Sequence, residues 1–309
     1  MISIVIPVYN AEQSIHRLTK KIFEIFLEFE VEVILVNDCS IDKSHQECLK
    51  TYDEFKSKIT YIKLGKNVGE HNATMAGLKQ TAGDWILIMD DDFQNPPEEG
   101  LKLVKHAIKN NYDVTYAEYE KKKHSFLRNL GSKINDNTAN YILKKPKNLY
   151  LSSFKCIKKS LLKKIEIYQG PYPYIDGLVL SVTSNIGTLK TNHEERKIGK
   201  SGYSFLKLFK LYANIATNFS TVPIHFFSIV GLVIALCSSL YGIYILLEKI
   251  FIPSVPIGYS SILTAVIFLA GIQLIFLGLI GEYVGKILKN VNQEPQYSIE
   301  TIKLKNAEK

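Results

Sequence analysis

Cysteine is scarce and unpatterned in this chain of 309 residues: Cys39, Cys48, Cys156 and Cys237 stand at no metal-ligand spacing, and Cys237 lies inside an apolar run. That argues against a disulfide framework or thiolate metal site and reads as four reduced thiols of a cytoplasmic protein. Histidine offers no substitute, because His71 and His193 lack a paired ligand at useful spacing and read as polar or structural residues. A secretory start is also missing, since Met1–Val8 is too short, has no basic opening and reads as a strand. There is no internal repeat and no low-complexity tract, so neither a solenoid nor a disordered array is indicated.

Charge is the most telling absence. Ile224–Leu247 and Ile262–Ile280 almost lack it, and each is long enough to cross a hydrocarbon core, which needs about 20 residues. Two membrane helices are expected, at 224–247 and 262–285. The connection Glu248–Ser261 is short, contains Pro253 and Pro256, and has Lys249 as its only base, so the pair reads as an antiparallel hairpin. Lys200, Lys207 and Lys210 precede the first span, and Lys286, Lys289 and Lys303 follow the second. The positive-inside rule then places the large domain and the tail in the cytoplasm, with the chain a multi-pass protein of the inner (plasma) membrane. The expected division is a cytoplasmic domain over 1–200, a juxtamembrane interfacial helix over 201–222, a hairpin over 223–289 and a cytoplasmic tail over 290–309. The net charge of +8 comes from scattered lysines, many near the spans. It fits anionic lipid or a phosphorylated substrate rather than nucleic acid.

Ahead of the spans, apolar runs alternate with helical patterns. Strands are expected at Ile2–Pro7, Val31–Val36, Ile59–Leu64, Trp85–Met89 and Tyr112–Tyr116. Between them lie a helix with Ile15, Leu18, Ile22, Phe26 and Phe29 on one face, and further helices over Lys43–Phe55, Glu70–Gln80 and from about Pro97. This alternation predicts an α/β fold with a doubly wound, mostly parallel sheet. A polar helix over Phe126–Leu143 follows. Gly170-Pro171-Tyr172-Pro173-Tyr174 is a rigid aromatic loop that either lines a site or turns at the surface. In Ser204–Phe219 the side chains Phe205, Leu208, Phe209, Tyr212 and Ile215 share a face, as in a helix lying in a membrane surface. Gly281 and Gly285 form a small-xxx-small pair, serving either the hairpin or a homo-oligomer of the membrane helices. Glu282 reads as reaching the headgroup region.

What is present in concentrated form is acid. Ile86-Leu87-Ile88-Met89 runs directly into Asp90-Asp91-Asp92 and then Phe93-Gln94-Asn95-Pro96-Pro97-Glu98. In open α/β sheets ligands collect beyond the carboxyl ends of strands, and adjacent carboxylates stay ionised most readily around a cation. Oxygen ligands at this density suit Mg²⁺ or Mn²⁺, which commonly grips a diphosphate; the bland reading is a solvated acidic turn. Two more loops belong on the same rim, Pro7-Val8-Tyr9-Asn10-Ala11-Glu12 and Asn37-Asp38-Cys39-Ser40-Ile41-Asp42. Asn67-Val68-Gly69-Glu70-His71-Asn72-Ala73 opens a helix whose free amides favour phosphate.

In this order the motifs resemble the inverting GT-A glycosyltransferases of family 2, and within them the polyprenyl-phosphate sugar transferases related to dolichyl-phosphate mannose synthase. The resemblance covers essentially the whole chain. It includes Gly83-Asp84, the Asp-x-Asp with Gln94 and Pro-Pro-Glu, Gly199-Lys200-Ser201-Gly202-Tyr203, and Gly281-Glu282-Tyr283-Val284-Gly285-Lys286. It implies a Rossmann-like GT-A domain and inverting transfer from a nucleotide sugar, UDP-linked by expectation, to polyprenyl (undecaprenyl) phosphate. Pro7, Tyr9, Asn10, Glu12, Asp38, Ser40 and Asn67 would bind the nucleotide; Asp90, Asp92 and Gln94 would be catalytic, with Asp92 and Asp90 on the metal. Two departures stand out: the middle acid is Asp91, and Lys155 occupies a position where relatives often carry arginine. Arg128, Ser132, Lys155, Arg196, Lys200 and Ser201 are candidates for the acceptor phosphate, whereas Lys122 and Lys123 read as a solvated face. The alternatives are a transferase extending a lipid-linked oligosaccharide or cell-surface polysaccharide, with Asp176 as base, and a non-catalytic flippase or scaffold.

Overall fold

The computed structural model describes residues 1–119, 149–171, 173–192, 258–292 and 294–305, with part of 229–244. The polar helix expected at Phe126–Leu143 and the interfacial helix at Ser204–Phe219 lie outside the described residues. So do Arg128, Ser132, Tyr172, His193, Arg196, Lys200 and Ser201. The chain divides into two compact units, Met1–Gly202 with Gln293–Lys309, and Tyr203–Asn292.

The first unit opens with four parallel strands in the order expected: β1 (Ile2–Val8), β2 (Val31–Asn37), β3 (Ile59–Leu64) and β4 (Trp85–Ile88). β1 lies between β2 and β4, and β3 extends the far side of β2, all in parallel register. Helices cover both faces, which is why these strands are continuous apolar runs rather than alternating ones. On one face α1 (Ile15–Ile25), α2 (Ser44–Glu54) and α4 (Pro97–Asn110) pack Leu18, Ile22, Cys48, Leu103 and Val104 against Ile4, Ile6, Leu35 and Leu87. On the other lies α3 (Glu70–Leu78), at a separation set by Gly77, where a Cβ would come within 2.5 Å of Val5 and 2.9 Å of Val36. α1 stops at Ile25, so Phe26 caps it and Phe29 follows in the turn; both still join this core.

Beyond α4 the sheet is mixed. The apolar run expected to continue the series is β5 (Val114–Tyr119), but it does not pair with β4. β6 (Lys155–Lys158) lies between them, antiparallel to both. Then come α5 (Lys159–Ile165), α6 (Ile175–Val182) and β7 (Ile186–Thr191), which is parallel to β5. The tail is more than a tail: β8 (Ile299–Lys303) joins the sheet antiparallel to β3. The eight strands run β7-β5-β6-β4-β1-β2-β3-β8.

In the second unit, α7 spans Tyr259–Val291, and within it Phe268–Val291 is long and apolar enough to cross a membrane. At 1.5 Å per residue its 33 residues reach about 50 Å, more than a hydrocarbon core requires. Its apolar side chains, among them Phe268, Leu274, Leu277, Ile280 and Val284, are exposed. The described residues between 229 and 244 are helical. A Cβ on Gly231 would lie 3.5 Å from the Phe276 ring, while Gly271, Gly278, Gly281 and Gly285 have no described neighbour that close.

Candidate active site

The carboxyl ends of β1, β2 and β4 each turn through a non-glycine residue in the left-handed region: Asn10 (φ 57°), Cys39 (φ 55°) and Phe93 (φ 62°). Such a conformation costs a cysteine or phenylalanine on the order of 1 kcal/mol, so surrounding contacts must hold it. Phe93 packs against the core and carries the Arg17 guanidinium 5.8 Å from its ring centre.

The rim loops hold one another. Asn10 N–H donates to Ser40 Oγ (3.1 Å), and Ile41 N–H donates back to Asn10 Oδ1 (3.0 Å). Glu12 N–H donates to Asp42 and Lys43 N–H to Glu12 (3.1 and 3.0 Å). Tyr9 N–H donates to Asp91 Oδ2 at 2.9 Å, which joins the β1 loop to the acid turn. The sequence-predicted residues Tyr9, Asn10, Glu12 and Ser40 are therefore brought together, with Pro7 at the end of β1 beneath them. Asp38 is buried, and its two oxygens accept Val68 N–H (2.8 Å) and Gly69 N–H (2.9 Å), while Asn67 Nδ2 donates to the Asp38 carbonyl (3.2 Å). Burial raises the Asp38 carboxyl above the usual range, and the two amides oppose that rise. Here Asp38 braces the loop opening α3, with Gly69 supplying the positive φ of 87° that the turn needs.

The three acids have separate settings. Asp90 Oδ2 accepts Ser153 Oγ–H (2.8 Å) and Asn95 Nδ2 (3.1 Å). Asn95 in turn accepts the Tyr119 hydroxyl at 2.8 Å, and that hydroxyl meets Ser152 Oγ at 2.9 Å. Asp92 accepts Gln94 N–H at 3.0 Å, so Gln94 shares its turn. Ser153, Asn95 and Tyr119 were not singled out from sequence, although Asn95 stands inside the acid motif and Ser153 beside Lys155. Among the described residues no three His, Cys, Asp or Glu side chains form a metal-holding group. Mg²⁺ or Mn²⁺ usually takes one or two carboxylates and completes its shell with water and substrate phosphate. All three carboxylates have the donor chemistry for this, and Asp91 also accepts Tyr9 N–H.

Lys155 lies elsewhere than a solvent-facing phosphate site. It is 2% exposed on β6, and its ammonium pairs with Asp176 at the start of α6. Asp176, 5% exposed, also accepts the Tyr116 hydroxyl at 2.9 Å. At the N-terminus of α3, Glu70 faces this group. Burial in a densely packed wall, with Asp90 and Asp176 adding repulsion against partial relief from Lys155, pushes its carboxyl up to about 7, even though its surface reaches solvent. Beside it, burial lowers His71 to about 4, so the ring is neutral at physiological pH, edge-on to Tyr174 at 5.2 Å. This matches its reading as a structural residue. Glu70 was passed over in the sequence because a carboxylate in the first turn of a helix is ordinary.

With this geometry in place, the comparisons are informative. The profile of Glycosyl transferase family 2 matches residues 3–165, and that of the GtrB C-terminal hairpin matches 222–287. The undecaprenyl-phosphate 4-deoxy-4-formamido-L-arabinose transferase of Photorhabdus laumondii is 31% identical over 310 residues, covering 97% of this chain and 94% of that protein. Its counterpart in Yersinia enterocolitica is 32% identical, covering 97% and 93%. Among solved structures, glucosyl-3-phosphoglycerate synthase of Mycobacterium tuberculosis, crystallised with Mn²⁺, UDP-glucose and phosphoglyceric acid, aligns with a TM-score of 0.51 and 14% identity. That alignment covers 70% of this chain and 77% of the synthase, and it speaks for a shared fold alone.

Proposed function

The chain belongs to glycosyl transferase family 2, and on that premise we propose that it moves a sugar from a UDP-linked donor to a polyprenyl phosphate, undecaprenyl phosphate in a bacterial membrane, inverting the anomeric centre. The observation that carries this is the end-to-end match, through both the transferase domain and the hairpin, to enzymes named for undecaprenyl-phosphate transfer.

The chemistry asks little of a base. A phosphate monoester has a second pKa near ~6, so its oxygen is already anionic at neutral pH. The protein has then to position two anions and neutralise the departing diphosphate. Asp92 and Asp90 would hold Mg²⁺ or Mn²⁺, which when bound offsets charge on the leaving nucleotide. The interlocked Tyr9, Asn10, Glu12, Ser40, Asp38 and Asn67 loops would seat the nucleoside, and Gln94 would face the sugar from the acid turn. Arg128, Ser132, Arg196, Lys200 and Ser201 remain our candidates for the lipid phosphate. Lys155 would act there through Asp176 rather than by direct contact.

A membrane location with the catalytic domain in the cytoplasm follows from the same reading. This reading would have the segment between the two parts of the first unit cross the membrane an even number of times, returning the tail to the cytoplasm. In it α7 and 224–247 would be the two crossings, with Lys286 and Lys289 at the cytoplasmic end of α7.

The test is full-length protein in lipid nanodiscs with Mg²⁺ or Mn²⁺, undecaprenyl phosphate and a panel of labelled nucleotide sugars. Lipid-linked product is expected with a UDP-sugar; no product across the panel would overturn the proposal. One observation favours a second reading, in which a sugar hydroxyl on a lipid-linked oligosaccharide is the acceptor. Glu70 titrates near 7, as a general base would, whereas Asp176 is already paired. That reading requires Glu70→Gln to lose at least ~10³-fold in rate, within the range of base catalysis; phosphate transfer tolerates the change within about tenfold.

A further inference from the structure

The chain that follows α7 is folded onto the first unit by several independent contacts. β8 pairs with β3, Gly65 N–H donates to the Ser298 carbonyl (2.9 Å), and the Tyr52 hydroxyl donates to the Leu304 carbonyl (2.8 Å). The Lys79 ammonium sits 5.4 Å from the Tyr297 ring centre, and Lys305 pairs with Glu32. These contacts fasten the strand. Gln296 does something else.

Gln296 is 8% exposed, and its Nε2 donates to two backbone carbonyls, Tyr168 O at 3.1 Å and Gly170 O at 2.8 Å. A primary amide has two N–H bonds, so each carbonyl receives its own. Its Oε1 has no hydrogen-bond partner among the described residues. A buried acceptor left unpaired costs about 1–3 kcal/mol, so the favourable part of this side chain is its donation. The turn it holds is tight: a Cβ on Gly170 would come within 2.4 Å of the Tyr168 hydroxyl. From Gly170 the chain runs through Pro171 and Pro173 to Tyr174, edge-on to His71, and then to Asp176 in its pair with Lys155. Pro171 and Pro173 each have φ fixed by their rings, which narrows the conformations open to their own backbones. Gln296 itself stands four residues beyond Asn292, which caps α7.

We infer that Gln296 is a positioning residue for the acceptor side of the site, fixing the Tyr168–Gly170 turn and through it the wall formed by Tyr174, Asp176 and Lys155. The same bonds tie that turn to the chain leading into β8. The inference rests on the phosphate-acceptor reading for its kinetic consequence but not for its structural one. The donor loops after β1, β2 and β4 are braced by their own amides and side chains, so nucleotide binding is left alone.

Two variants of full-length protein in nanodiscs test this. Gln296→Glu keeps the size and places oxygens against both carbonyls, and Gln296→Leu removes the donor without adding charge. Each is expected to speed hydrogen exchange in peptides spanning 166–176 while β8 amides stay protected. Each is also expected to raise KM for undecaprenyl phosphate at least tenfold, with Kd for UDP by calorimetry held within twofold. Unchanged exchange over 166–176, or lost protection of β8 together with weakened UDP binding, would overturn the positioning role. If wild-type protein makes no lipid-linked product, the functional proposal fails, and the exchange data still decide the role of Gln296.

Discussion

Asp91 accepts the backbone N–H of Tyr9 at 2.9 Å, so the middle carboxylate of the acid triplet joins two rim loops. The triplet therefore divides by role. Asp91→Asn keeps a side-chain oxygen for Tyr9 and should retain transfer within about tenfold. Asp92→Asn removes a ligand charge worth several kcal/mol in the transition state, and turnover should fall at least ~10³-fold. Rates measured across a Mn²⁺ and Mg²⁺ titration check both. Equal losses in the two variants would place the metal on Asp91 as well.

Chelation should act on the same step. EDTA is expected to abolish transfer, and excess Mn²⁺ or Mg²⁺ to restore it without refolding, because an ion held by one or two carboxylates, with water and substrate phosphate completing its shell, exchanges readily. Activity that survives exhaustive chelation would remove Asp92 and Asp90 from the metal role.

Glu70 gives a pH signature. Its folded carboxyl titrates near 7, above the unfolded value near ~4.3, so the ionised form is disfavoured by folding. The penalty is absent in acid, grows as pH rises from about 5 to 7, and is complete above that. Glu70→Gln should therefore leave Tm almost unchanged at pH 5 and raise it at pH 8 in protein free of metal and nucleotide. Thermal unfolding at the two pH values decides it, and a gain confined to pH 5 would contradict the assigned environment.

The Lys155–Asp176 pair is buried on both sides. Lys155→Met leaves a buried carboxylate supported, among the described residues, by the Tyr116 hydroxyl, and breaking such a pair typically costs ~3–5 kcal/mol. The double variant Lys155→Met, Asp176→Asn removes both charges and should recover most of that loss. Denaturation of the three variants measures it; a double variant no more stable than the single one would show that the pair's charges are not what Lys155→Met disturbs.

What could be read in advance follows from how each element is buried. β1 to β4 are covered on both faces and announce themselves as apolar runs, and the acid turn is visible because Met89-Asp90 is an abrupt change of polarity. β6 is Lys-Cys-Ile-Lys, too short and too charged to stand out, so the antiparallel insertion between β4 and β5 was hidden. Lys155 is a phosphate candidate only through the resemblance, at a position where relatives often carry arginine, and nothing local reveals that Asp176, 21 residues on, pairs with it. β8 is Ile-Glu-Thr-Ile-Lys, with no clear alternation, and its partner β3 lies more than 200 residues earlier, beyond the reach of local pattern. The interlocking of rim loops was legible as residue types; which of them bond to one another was not.

The tail makes a last prediction through Glu32. This carboxylate is almost fully buried, and burial alone would raise its pKa, but hydrogen bonds from Lys305, Ser3 and the Ala82 amide hold it below the usual range. A depressed carboxylate contributes stability above its unfolded pKa and loses it as pH falls through the folded value. Lys305 is one-third exposed, so solvent screens part of the attraction. Lys305→Ala should cost roughly 1–2 kcal/mol at pH 7, less than a fully buried pair. The deficit should shrink below about pH 4 as Glu32 is protonated in both variants. Unfolding of wild type and variant between pH 3 and pH 8 measures the difference, and a deficit independent of pH would mean that Lys305 acts by packing against β3 rather than by charge.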